Sequence, residues 1–106
     1  MNEKTKEQVE QLQNLEQNIN NLIAQKQQFQ SQQLEVENAL SQIKDTKQVF
    51  RIIGNIMVAS EAKEVKKDLD EKKELLDLRL KTIDKQEDKL RKQAGELQHE
   101  VLKEMK

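Results

Sequence analysis

The chain has 106 residues, 37% of them charged and 34% hydrophobic, and its aromatics are Phe29 and Phe50 alone. Ordering a chain costs roughly 1–2 kcal/mol per residue, and so little large apolar surface cannot offset that in a thick core within one subunit. This leaves either disorder or a long helical seam, and it argues against a compact monomeric enzyme.

Residues 1–44 are rich in glutamine: twelve of the fifteen Gln residues lie before position 49. Such a run can signal low complexity, but the apolar spacing here is regular. Leu12, Leu15, Ile19, Leu22, Lys26, Phe29, Gln33, Val36, Leu40 and Ile43 follow a 3-4-3-4 pattern interrupted by two polar residues. That pattern is a heptad seam and predicts a helix over about 5–44. Lys26 and Gln33 either fix the register of the seam or loosen it.

Residues 48–59, QVFRIIGNIMVA, break the helical period and are mostly apolar and β-branched. Gly54-Asn55 between two such runs predicts a two-residue β-hairpin turn. Pairing outward from it sets Ile53 against Ile56, Ile52 against Met57, Arg51 against Val58 and Phe50 against Ala59. One face then carries Phe50, Ile52, Met57 and Ala59, and the other Val49, Arg51, Ile53, Ile56 and Val58. Water does not support an isolated hairpin that is apolar on both faces, and its open edges invite pairing with another chain. Val49, Phe50, Ile52, Ile53, Gly54, Asn55, Ile56, Met57 and Val58 are therefore candidates for oligomerisation. The alternative is a hairpin folded down as a cap on its own helices.

The third segment, about 61–104, repeats the heptad at Leu69, Lys73, Leu76, Leu80, Ile83, Glu87, Leu90, Ala94, Leu97 and Val101. Acid-first i,i+4 pairs (Asp68–Lys72, Asp77–Lys81, Glu87–Arg91 and Asp88–Lys92) support this helix by about 0.2–0.5 kcal/mol each. Ser60 is the expected N-cap, and Gly95 is a weak point of about 1 kcal/mol relative to Ala. Joined by a short hairpin, the two helices, each roughly 60 Å long, must fold back on each other. The expected fold is mainly α: one domain over 1–106, a long antiparallel two-helix coiled coil with a β-hairpin between the helices.

Several functions are excluded by what the chain lacks. Without cysteine there is no disulfide framework, thiolate metal site or cysteine nucleophile, and the setting is expected to be cytoplasmic. No apolar run reaches the ~18 residues of a membrane span, and MNEKTKEQVEQ has no apolar signal core. The 19 basic and 20 acidic residues are interspersed, with no basic block for nucleic acid. His99 is the single histidine, read as a solvated surface residue. No enzyme, metal or cofactor constellation is present.

A heptad helix, one hairpin of the form VFRIIGNIMV and a second heptad helix containing KKELLDLRLKTIDKQEDKL together resemble the β-type subunit of archaeal prefoldin. The single mid-chain hairpin is the specific element, since the related α-type subunit has two. The resemblance implies an ATP-independent chaperone without cofactors. Its hairpins would assemble into an intersubunit β-barrel joining two α and four β subunits as a hetero-hexamer. It would bind unfolded client proteins at the coiled-coil ends and pass them to a group II chaperonin, with neither nucleic acid nor membrane as a partner. The client-binding candidates are Val9, Leu12, Leu15, Leu97, Val101, Leu102 and Met105. Val9 and Leu102 lie off the main seams, which suggests apolar side chains exposed at a fraying end, and Met105 is a flexible contact residue. Ordinary seam packing is the competing reading, chiefly for Leu12, Leu15 and Leu97. For the whole chain, the competing function is a scaffolding coiled coil whose hairpin only connects.

Overall fold

The computed structural model describes residues 2–105 and contains, in chain order, α1 (Glu3–Ile43), β1 (Gln48–Ile53), β2 (Ile56–Glu61) and α2 (Ala62–Glu104). The fold is two long helices with a two-stranded antiparallel hairpin between them. All ten seam positions predicted on each helix are buried or half-buried. A strip of apolar residues every 3.5 positions has one dry place to go, the matching strip of an antiparallel partner.

The chain divides into two compact units, residues 1–28 with 81–106, and residues 29–80. In the first, Ile19, Ile83 and Val101 form the buried core. The antiparallel pairing of this unit is marked by Gln8 Nε2 donating to Glu100 Oε2 at 3.1 Å and by Lys26 Nζ lying 2.7 Å from Asp84 Oδ1. In the second, Val36, Ala62 and Leu76 are buried, and Gln33 Nε2 donates to Asp77 Oδ1 at 2.5 Å. The guanidinium of Arg79 sits 5.7 Å from the centre of the Phe29 ring, a cation–π contact flanking the seam.

The seam is longer than the apolar pattern showed. Thr5 is buried and Gln8 half-buried, so the 4-3 spacing continues back from Leu12 through polar residues. On α2 the sheltered strip continues back from Leu69 through Val65 and Ala62, with two successive four-residue steps (65 to 69 to 73) in place of strict 4-3 alternation.

Ser60 is not the N-cap of α2. It pairs with Val49 in the β-ladder, which runs on to Gln48–Glu61. The helix starts at Ala62, whose N–H donates to the Lys47 carbonyl at 3.0 Å. A backbone acceptor thus satisfies the first of the four free donors at the helix start.

Candidate functional site

The hairpin has the register that its turn chemistry dictates: Phe50–Ala59, Arg51–Val58, Ile52–Met57 and Ile53–Ile56. Gly54 has φ +60° and among the described residues no non-glycine residue has positive φ, so Asn55 does not share this conformation. That sign pattern is the one of a type II′ turn, whose twist matches the twist of the strands it joins. A Cβ on Gly54 would meet nothing within 4 Å. The need for glycine is thus a matter of backbone conformation, not of space.

Both faces of the hairpin are open. On one face Phe50 is 64% exposed, Ile52 74% and Met57 65%; on the other Ile53 is 60% and Ile56 67%. Val58 is exposed as well, while Val49 and Arg51, nearer the helices, are half-buried. Arg51 pairs with Asp68 on α2, which ties the base of the hairpin to the helix that follows it. The hairpin therefore does not fold down as a cap. Six large apolar side chains standing in water on two faces make the hairpin a candidate interaction surface.

The candidates at the helix ends divide in two. Leu12, Leu15 and Leu97 are half-buried seam residues and Val101 is buried. Val9 is half-buried, whereas Leu102 and Met105 are 54% and 62% exposed. By heptad position Val9, Leu102 and Met105 share one flank of the helix pair. Both helix ends beneath them are hydrogen-bonded. Asn2 Oδ1 accepts from both the Thr5 N–H and the Thr5 hydroxyl, each at 2.8 Å, which is an N-cap for α1. The Met105 N–H donates to the Val101 carbonyl at 3.1 Å, closing α2.

One layer of the seam carries charge from both helices. Lys26 lies 2.7 Å from Asp84 and 3.6 Å from Glu87, and Glu87 accepts from Arg91 Nε at 2.7 Å. The hydrogen bond to Asp84, with the two carboxylate charges, holds the Lys26 ammonium above its ordinary pKa. The hydrogen bond from Arg91, with the Lys26 charge, holds the Glu87 carboxyl below its own. Of the i,i+4 pairs read from the sequence, Glu87–Arg91 forms, while Asp68 turns to Arg51 and Asp77 to Gln33. Among the described residues no group of three or more His, Cys, Asp or Glu could hold a metal ion, and no helix is long and apolar enough to cross a membrane.

Comparison with known proteins adds the family. The prefoldin subunit family model matches residues 6–106. The prefoldin subunit beta of Archaeoglobus fulgidus is 36% identical over 96 residues, covering 88% of this chain and 83% of the relative. That of Sulfurisphaera tokodaii is 39% identical over 93 residues, covering 85% and 74%. The crystal structure of the prefoldin beta subunit from Thermococcus strain KS-1 superposes with a TM-score of 0.86 at 26% identity, over 94% of this chain and 90% of that one. A family match over nearly the whole chain, joined to a single hairpin between two heptad helices, means that this chain belongs to the prefoldin subunit family, where it is similar to the archaeal beta subunits.

Proposed function

We propose that this chain is the β-type subunit of a hetero-hexameric, ATP-independent chaperone of the cytoplasm that holds unfolded proteins and delivers them to a group II chaperonin. Four copies join two α-type subunits, their hairpins closing into a shared β-barrel. The observation that carries this reading is the hairpin with six large apolar side chains exposed on two faces. Closing a sheet against neighbouring chains removes both its open edges and its wet apolar faces. Client binding falls to the helix-end candidates, with Leu102 and Met105 in direct contact, Val9 beside them, and Leu12, Leu15, Leu97 and Val101 forming the support. A loose apolar ridge suits a client without fixed shape, and several arms on one platform multiply a weak contact.

Replacing Leu102 and Met105 by Ser tests this reading. Both are exposed, so helix content and assembly with an α-type subunit are expected to persist. Suppression of aggregation of a denatured client is expected to fall. An assembly that protects clients equally well after the substitution would remove the helix ends from client binding. A wild-type chain indifferent to the α-type subunit would leave a scaffold in place of a chaperone.

A further inference from the structure

The exposed large apolar side chains among the described residues fall into three groups. Six stand on the hairpin and two, Leu102 and Met105, at the helix ends. The third group is Leu34, Leu75 and Leu78, which are 58%, 47% and 61% exposed. All three lie in the unit formed by residues 29–80. Exposed leucines scattered singly are ordinary, but these are not scattered. The hydrogen bond from Gln33 Nε2 to Asp77 Oδ1 shows which residues of α1 and α2 stand level. Leu34 follows Gln33 and Leu78 follows Asp77, so the three leucines share one level of the helix pair.

They face opposite ways. By heptad position Leu34 flanks the seam on the side where Asp77 reaches across to Gln33. Leu75 flanks it on the other side, and Leu78 lies beside Leu75 toward the back of α2. Neither patch can cover the other within one chain. A single patch suits a two-fold pair, in which one surface meets itself. Two different patches, level with each other on opposite sides, suit a head-to-tail contact between copies.

The α2 patch also continues the hairpin surface. Asp68, which holds Arg51, and Leu75 are seven residues apart and share a heptad position. Leu75 and Leu78 therefore stand about 11 and 15 Å along α2 from that ion pair at 1.5 Å per residue. The hairpin face that carries Arg51 also carries the exposed Ile53, Ile56 and Val58. A neighbour seated on that face lies beside Leu75 and Leu78.

We infer that Leu34 of one copy of this chain packs against Leu75 and Leu78 of a second copy, with α1 of one against α2 of the next. The inference rests on assembly through the hairpin and extends that contact onto the helices, where it sets the order in which copies follow one another.

The chain has no cysteine, so single thiols can be introduced without background. Full-length Leu34→Cys and Leu78→Cys chains are mixed, assembled with a cysteine-free α-type subunit and oxidised. Disulfide adducts are read by non-reducing electrophoresis and peptide mass spectrometry. A 34-to-78 adduct between copies is expected, since packed side chains at a helix contact come within disulfide reach. It is expected to vanish when Ile52→Asp and Ile56→Asp are added to both chains. Leu75→Gln with Leu78→Gln, or Leu34→Gln alone, is expected to raise the Kd of assembly at least about tenfold, with the melting curve of the single chain unchanged. Combining the three is expected to weaken assembly little further, because each variant breaks the same contact. Adducts of 34 to 34 or 78 to 78 alone would mean a two-fold contact and overturn the inference. An adduct that persists without the hairpin isoleucines would mark random collision and overturn it as well. Assembly of full strength with no adduct also overturns it, while the hairpin reading stands. A wild-type chain that does not assemble removes the hairpin reading, and this inference with it.

Discussion

Replacing Ile52 and Ile56 by Asp puts one carboxylate on each face of the hairpin. Ile52 lies with Phe50 and Met57, and Ile56 with Ile53 and Val58. Both isoleucines are largely exposed, at 74% and 67%. Within the single chain the double substitution therefore removes almost no buried contact, and stability is expected to change by about 0.5 kcal/mol or less per site. Assembly is a different matter. Covering an isoleucine contributes about 1.5–3 kcal/mol, and an unpaired carboxylate in an apolar interface costs several more. The two sites together should weaken association by at least about 5 kcal/mol, more than three decades in Kd. The assay is light scattering after size exclusion, with and without the α-type subunit, alongside far-UV circular dichroism. A variant that assembles at wild-type concentrations would refute docking through the hairpin. A variant that loses its helices would refute the premise that these faces are free in the single chain.

Leu76 is 2% exposed, and Leu76→Ala is expected to destabilise the chain by about 2–5 kcal/mol in urea unfolding. Leu34→Ala, at a position that is 58% exposed, should stay within about 0.5 kcal/mol. At Gly54, whose φ is +60°, Val should cost about 1–2 kcal/mol and Asn less, read from assembly strength and from amide exchange in the hairpin. Gly95 is helical with open space at its Cβ position, so Gly95→Ala should stabilise by about 1 kcal/mol in the same unfolding assay. Because the Glu87 carboxyl is held below its ordinary pKa, its contribution is present above about pH 4.3 and is lost as pH falls through the lowered value. Thermal melts from pH 7 to pH 3 should therefore separate wild type from Glu87→Gln at neutral pH and converge in acid. A gap that persists undiminished at pH 3 would contradict this.

The helices and the hairpin are legible in the residues because their causes are local. A 3-4 spacing of apolar side chains states both that a helix forms and which strip it buries, and every seam position it named is sheltered. Gly54-Asn55 states the turn, and the turn states the register, since a two-residue loop leaves a single way to pair the strands outward. The candidate surfaces on the hairpin follow from the same alternation. The start of the seam on α1 was not legible, because Thr5 and Gln8 continue it with polar side chains, and polarity alone assigns such residues to the surface.

Tertiary structure decided what depends on residues far apart in the chain. Asp68 takes Arg51 rather than Lys72, and Asp77 takes Gln33 rather than Lys81. An exposed i,i+4 pair is worth only tenths of a kcal/mol, so whichever donor the fold brings near outcompetes the helical neighbour. Ser60 joins a strand and leaves the helix start to a carbonyl contributed by Lys47. Lys26 becomes part of a charged layer because α2 brings Asp84 and Glu87 opposite it. Heptad spacing specifies the strip each helix buries, but which side chains meet across the seam is set by where the hairpin turns the chain back, a sum over contacts no local pattern contains.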